Sequence, residues 1–494
     1  MTSSRASEPG PGSLDQPVRL MSIRRAIGLG IGSGLILVAG LVLTALWAAG
    51  FPQFKSDGTV TAGTLFELLK LTFSVVAGIG GAVALVIAYR KQRVTEAQNI
   101  LAHVADERAA AAKILADAAD ARAALESDRT GVRIFNERYA KAVEQLGNDK
   151  AAVRLGGVYA LAGLADDWEA GRRTCIDVLC AYLRMPYAPP PDLNDERVQK
   201  SVAITGMAEW LRKNAPAKEE QQVRFTIIHL IGAHLRDTSP VSWQGHDFDF
   251  TGAIFDGGDF GGAVFSGGTV SFKQAKFTGG NTRFQGATFS GAAVSFVGAE
   301  FAGGVVQFSE SRFMTGLVDF QDSGFTGSDV LFDSCVFASE VLFSNISVLA
   351  GTIYFGSTEF LDGAQVVLEG CNITDGALDF SGAEFSGGDV YFDGSEFIGG
   401  EVKFTSFGLG ATFSGGHVRF NSASFSGSVA DFRSAIFSGG EVSMTDAEFE
   451  VPPLFPDWPS GPPKGLTLPA GMDARGNPNT TSLPQRTGQQ PSGV

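Results

Sequence analysis

Four cysteines among 494 residues are too few, and too far from any CxxC spacing, to build a disulfide framework or a zinc finger. Cys175, Cys180, Cys335 and Cys371 read instead as small buried hydrophobes in a reducing compartment. Histidine is nearly as scarce, with 5. His229, His234 and His246 lie close together, but an i, i+5 pair does not share a helical face and no acidic fourth ligand accompanies them, so no metal is expected. Tyrosine numbers 7 against 39 phenylalanines. Basic side chains are missing from one region above all: residues 245 to 450 hold 7 of them against 26 acidic ones, a balance of -19 in a chain whose total is -15. Such an anionic stretch argues against direct nucleic-acid binding. The repeats within that stretch have a single histidine, His417, and no recurring or converging nucleophile, base and orienter. The expectation is therefore a non-enzyme, with no catalytic residue and no cofactor.

Long apolar runs, by contrast, are present. Ala26 to Gly50 carries no charge, and Leu69 to Tyr89 only one lysine at its start. Each is long enough to cross a hydrocarbon core of roughly 30 Å as a helix, and neither is flanked like a cleavable signal. Residues 26–90 read as a two-helix transmembrane hairpin after a disordered basic N-terminus, 1–25. Arg19, Arg24 and Arg25 precede the first span and Arg90, Lys91 and Arg93 follow the second, which predicts that both ends face the cytoplasm. Gly28, Gly30, Gly32 and Gly34 sit inside the apolar run with no strand before them and no Lys-Ser/Thr after, unlike a phosphate-binding loop. They read as transmembrane packing residues, in small-xxx-small pairs that let helices approach within the hairpin or between copies of a homo-oligomer.

From residue 91 to 130 the chain is rich in Ala, Glu, Asp, Arg and Lys, which predicts a linker helix of roughly 55–60 Å. A heptad frame runs through Val94, Leu101 and Leu115, with Ala97, Val104, Ala111, Ala118 and Leu125 on the other seam position. Arg108 and Arg122 dilute it, so a weak coiled coil and a solvated single helix both fit. Residues 131–240 then read as a small all-α domain of about five helices, the last two near 195–213 and 218–236.

The remaining sequence repeats. Phe250, Phe255, Phe260 and Phe265 fall five apart in FTGAIFDGGDFGGAVF. A first Phe then recurs every twelve residues at Phe272, Phe284, Phe296, Phe308, Phe320 and Phe332, with a partner five later at Phe277, Phe289, Phe301, Phe313, Phe325 and Phe337. The register slips between 343 and 373, where Leu368 and Ile373 substitute, and four extra residues bulge near 407–410. One large apolar residue per short unit marks a solenoid whose core is a ladder of like side chains. A coil of twelve residues would be too thin for two rings, so the spacing favours four faces and about 24 residues per coil, with the Gly pairs widening alternate corners.

The stretch AIFDGGDFGGAVF, with Ala253, Ala263, Ala275, Ala287 and Ala299 two before a central Phe, resembles the pentapeptide-repeat proteins. That resemblance implies a right-handed four-sided β-helix over 241–450, although an inserted pair turns the ten-residue double unit into twelve. The layout, with RYAKAVEQLGNDKAAVRLGGVYALAGLADDW and CIDVLCAYLRMPY ahead of the repeats, is similar to a bacterial, membrane-anchored branch of the family, which implies the inner membrane of a bacterial cell. The helical domain is placed to cap the first coil, and Phe455 and Trp458 to close the last before a Pro/Gly-rich tail, 451–494.

The fold class is thus mixed: a transmembrane helical hairpin, a small all-α domain, then a pentapeptide-repeat-like solenoid. The function expected is a non-enzymatic, membrane-anchored cytoplasmic scaffold, a rod for a protein partner the sequence does not name. The alternative comes from soluble family members that protect a topoisomerase by imitating duplex DNA, which the -19 balance would suit. Ion binding along the acidic corners would need carboxylates in one register, and Asp319, Asp333 and Asp393 do not share one.

Overall fold

The computed structural model describes residues 22–48, 50–51, 61–193, 195–406, 408–458 and 461–472. Residues 1–21 of the expected disordered N-terminus, residues 52–60 between the spans and most of the C-terminal tail lie outside these, while residues 23–25 of that expected terminus already belong to the first helix. The chain forms two compact units divided between Asp128 and Arg129.

In the first unit, α1 spans Ile23–Ala48 and α2 spans Ala62–Leu146. Both are long and apolar enough to cross a membrane. Their large side chains, Ile36, Trp47, Phe66 and Phe73 among them, are exposed. The second span, the linker and the first helix of the all-α domain, expected as separate pieces, are one uninterrupted helix. No proline lies between residues 62 and 146 to stop it. A Cβ added to Gly28, Gly30, Gly32 or Gly34 would meet nothing within 4 Å. Gly30 and Gly34 instead line an open apolar groove of about 600 Å³ between α1 and α2.

In the second unit, the end of α2 packs with α3 (Ala151–Asp167), α4 (Glu169–Leu183), α5 (Glu196–Thr205) and α6 (Met207–Leu235). Phe135 stacks on Tyr139 at 5.8 Å and lies as close to Trp168, and Gly157 leaves room for the backbone of Ala142 and Leu146. The break between the last two helices falls at Gly206 (φ 85) and not at the expected gap around Pro216, which lies inside α6. Glycine reaches that φ without steric cost.

The solenoid follows. Short parallel strands pair only with the strand one coil below and one coil above. Val270, Val294 and Val318 stand in register on one face, Phe277, Phe301 and Phe325 on the second, Thr282, Val306 and Val330 on the third, and Phe289, Phe313 and Phe337 on the fourth. The coil is therefore four-sided, and each turn takes two of the twelve-residue units. The slip near 343 is one short coil followed by one long one: Val318 pairs with Val341, one position early, and Val341 pairs with Val366, one position late. The extra residues near 407 form an antiparallel hairpin, Thr405–Ser406 with Leu409–Gly410, which stretches the coil that runs from Asp389 to His417.

The two kinds of corner are built differently. After each central Phe the chain closes a β-turn, as where the Ala275 amide donates to the Phe272 carbonyl at 3.0 Å. The third residue has positive φ. Glycine holds that place at Gly286 and Gly298, but Gln274, Glu310, Asp322 and Ser334 hold it elsewhere at φ 55–64. At the wide corner glycine is needed at Gly304 (φ 74), where a Cβ would run into the Gly280 carbonyl of the coil below, although Ser328 takes the same place one coil on.

Candidate functional site

The surface on offer is the outside of the solenoid, and its rigidity comes from the inside. All twelve ladder residues, Phe272 through Phe337, are buried. Their rings stack nearly parallel at the strand spacing: Phe272 on Phe296 at 4.7 Å, Phe296 on Phe320 at 4.5 Å, Phe284 on Phe308 and Phe308 on Phe332 at 4.8 Å. The two central columns meet edge to face, Phe296 to Phe308 at 5.8 Å and 83°. Both geometries place the positive ring edge against a negative ring face or offset the faces.

Ala253, Ala263, Ala275, Ala287 and Ala299 are also buried, in the small position two before a Phe. In several of the middle coils that position is polar. Ser311, Ser323 and Ser395 donate to the carbonyls of Phe284, Phe296 and Leu368, one coil down, at 2.8, 2.8 and 2.6 Å. Cys335 and Cys371 make the same contact with Phe308 and Phe343. Burial pushes the Cys371 thiol up to about 12, and Cys180 likewise. These side chains are vertical ties between coils, which the period of the sequence could not reveal because each acceptor belongs to the neighbouring coil.

Both ends are covered. Over the first coil, Ile228 of α6 fills the space a side chain on Gly258 would need, and Gly232 lets α6 meet the backbone of Asp259. Buried Asp256 accepts from Tyr187 Oη at 2.8 Å and Gln221 Nε2 at 2.7 Å. Arg224, 2% exposed, donates to Glu220 at 3.0 Å and to the carbonyls of Leu183 and Met185 at 2.8 and 2.9 Å. Its guanidinium lies 4.2 Å from the Tyr187 ring centre. Burial, then the Asp256 charge, pushes the Tyr187 hydroxyl far above its ordinary value. Sequence reasoning missed this polar joint, because Tyr187, Gln221 and Asp256 stand far apart in the chain and nothing periodic marks them. At the far end Phe455 stacks on Phe432 at 5.3 Å and Trp458 meets Phe437 edge on at 5.7 Å. The segment read as tail also adds a strand: Leu466–Thr467 pairs with Val442–Ser443. Parallel pairing covers an edge that would otherwise remain open.

Outside, most basic side chains of the repeat are spoken for by carboxylates on the same or a neighbouring coil. Lys276 pairs with Glu300 at 2.7 Å, Arg283 with Asp259 at 3.3 Å, Arg419 with Asp393 at 2.8 Å, and Arg433 with Asp431 at 2.7 Å. The surplus of acid is left facing outward, as at Glu359 and Glu384, which stand side by side on the fourth face. His417 bridges Asp389 at 2.7 Å and Glu441 at 3.5 Å through opposite ring nitrogens, a geometry that spreads the carboxylates apart. Burial raises Asp389, but hydrogen bonds from His417 and Tyr391 outweigh it and leave the carboxyl below its ordinary range. Burial moves Asp333 the other way. Among the histidines singled out earlier, His229 is exposed, whereas His234 contacts Asp166 at 3.1 Å and stacks on Trp243 at 4.1 Å. Among the described residues no three His, Cys, Asp or Glu side chains gather to hold a metal ion.

Residues 250–294 match the family model for pentapeptide repeats, in 9 copies. Among solved structures the chain is similar to HetL, a pentapeptide-repeat protein involved in heterocyst differentiation regulation from the cyanobacterium Nostoc. The match has 14% identity over 43% of this chain and 87% of that one, with a TM-score of 0.18. It is also similar to QnrB1, a plasmid-mediated fluoroquinolone resistance protein, at 20% identity over 40% of this chain and 84% of that one, with a TM-score of 0.15. A search of curated proteins finds no match. Residues 250–294 thus carry pentapeptide repeats, and they lie in the first coils of a four-sided parallel solenoid of the pentapeptide-repeat fold.

Proposed function

We propose that this protein is a membrane-anchored, non-enzymatic scaffold whose solenoid displays a rigid anionic surface to protein partners in the cytoplasm. The observation that carries the reading is the pairing pattern of the solenoid: most of its few cations are tied to neighbouring carboxylates, so the surface offered to a partner is predominantly of one sign. A surface of one sign steers oppositely charged partners and repels nucleic acid. The two apolar helices supply the anchor. Arg24 and Arg25 before the first and Arg90, Lys91 and Arg93 after the second favour cytoplasmic ends. A bilayer of a bacterial cell is the membrane this layout suits.

The same -19 balance over residues 245–450 favours a second reading, in which the rod occupies a groove built for DNA phosphates on a topoisomerase or another DNA-binding protein. Proximity labelling in cells from the C-terminal end, with the full chain and with a chain lacking residues 1–93, separates the two. A membrane-proximal set of proteins that is lost with the anchor is the result expected of the scaffold. Recovery of topoisomerase subunits with both chains, together with salt-sensitive competition against DNA, would reject the scaffold in favour of the mimic.

A further inference from the structure

Residues 94–129 of α2 leave an apolar stripe without cover. Leu101 and Leu115 are 68% and 71% exposed, and Ile100 and Ile114 both 65% or more. On a helix these residues share one side with Val94, Val104 and Leu125, in heptad positions a (94, 101, 108, 115, 122, 129), d (97, 104, 111, 118, 125) and g (100, 107, 114, 121, 128). The order of residues within that frame tells what covers it. In a parallel two-stranded coil, the a residue of one helix inserts beside the a and the preceding g residue of the other. Where a is leucine, at Leu101 and Leu115, g is isoleucine, at Ile100 and Ile114. Where a is arginine, at Arg108 and Arg129, g is acidic, at Glu107 and Asp128. Arg122, after Ala121, and Val94, after Arg93, stand outside the rule. The stripe is therefore complementary to itself in register, in shape and in charge. At present Glu107 faces only His103 of its own helix, at 3.4 Å.

We propose that residues 94–129 pair with the same segment of a second copy as a parallel, in-register, two-stranded coiled coil. The parallel sense rests on the membrane anchor, which holds every copy in one orientation. Two strands rather than more follow from Arg108 and Arg122, whose long stems reach water from the a positions of a two-stranded seam but would be enclosed in a wider bundle. The alanines at d (Ala97, Ala111, Ala118) let the two helices approach closely.

The test is cross-linking of the full chain in isolated membranes, with single cysteines introduced along the helix. The four native cysteines are buried and do not compete. Val104→Cys, Ala111→Cys and Ala118→Cys lie at d; Ala102→Cys, Ala109→Cys and Ala116→Cys lie on the outward side. A disulfide requires Cα atoms within about 7 Å, so oxidation is expected to give dimer at all three d positions and about ten-fold less at the other three. Equal yields at both sets, or none at d, would overturn pairing through this stripe. Dimer at one d position alone would overturn the parallel sense, since antiparallel helices bring like residues together only at their crossing point. Cross-linked species of a foreign mass would assign the stripe to another protein. Fractionation of the same samples tests the anchor separately: a chain found in the soluble fraction removes the basis for the parallel sense, while the contrast between d and outward positions still judges the seam.

Discussion

Phe308 sits at the middle of the stack, and truncating it tests whether columns of rings hold the coils together. Its ring is buried, stacked on Phe284 and Phe332 at 4.8 Å each, and met edge on by Phe296 and Phe320 at 5.8 and 5.9 Å. Phe308→Ala removes the ring from a site walled by four others, which cannot collapse without moving their backbones. A loss of about 3–5 kcal/mol follows from the cavity, toward the upper end because two stacked pairs, each worth about 0.5–1.5 kcal/mol, go with it. Phe308→Leu should cost only about 1–2 kcal/mol, since Leu368 already fills such a place, buried in the native column. Coils contact only their neighbours, so the loss should be local. Hydrogen exchange of the full chain in detergent is expected to show protection falling about a thousandfold for the amides of Phe284, Phe308 and Phe332 in the alanine variant, and far less at Phe425. Equal effects of alanine and leucine, or a loss spread evenly to the last coil, would refute the column as the source of rigidity.

The joint over the first coil should be nearly as sensitive: Asp256→Ala strands Tyr187 and Gln221, and a loss of about 2–3 kcal/mol, read as lost protection of α6, is expected. The native thiols should resist alkylation at pH 8. Burial holds Cys175 at about 11 and Cys180 and Cys371 at about 12, leaving a thiolate fraction of about one in a thousand or less, so rapid labelling without denaturant would contradict their burial. Asp389, held below the ordinary carboxyl value by His417 and Tyr391 despite its burial, stabilises the fold above the unfolded value near 3.9. That contribution is lost as pH falls further through the folded value. Asp389→Asn should therefore lower the thermal midpoint at pH 7, with the difference closing as pH falls through the folded value; a difference that persists in acid counts against the pairing. Finally, deleting residues 406–409 should restore the ordinary coil length and leave stability within about 0.5 kcal/mol; a chain that no longer folds would show that the hairpin is part of the core.

The sequence by itself determined the solenoid. A ladder of like side chains is a periodic object, so the spacing of Phe272 to Phe337 carried the coil length, the inward positions and even the long coil at residue 405. It also marked the two apolar helices, because span length and charge flanks are local properties. The corners were decided elsewhere: once the coils stack, hydrogen bonding between them fixes positive φ at Gln274 and Glu310, whatever residue stands there. The polar ties of Ser311 and Ser395, the Arg224 and Asp256 joint and the added strand at Leu466–Thr467 depended on the tertiary structure as well. Each joins groups distant in the chain, or satisfies a donor whose need arises only on burial. The helix break at Gly206 instead of near Pro216 follows the same logic, since α6 must run unbroken to lie over the first coil.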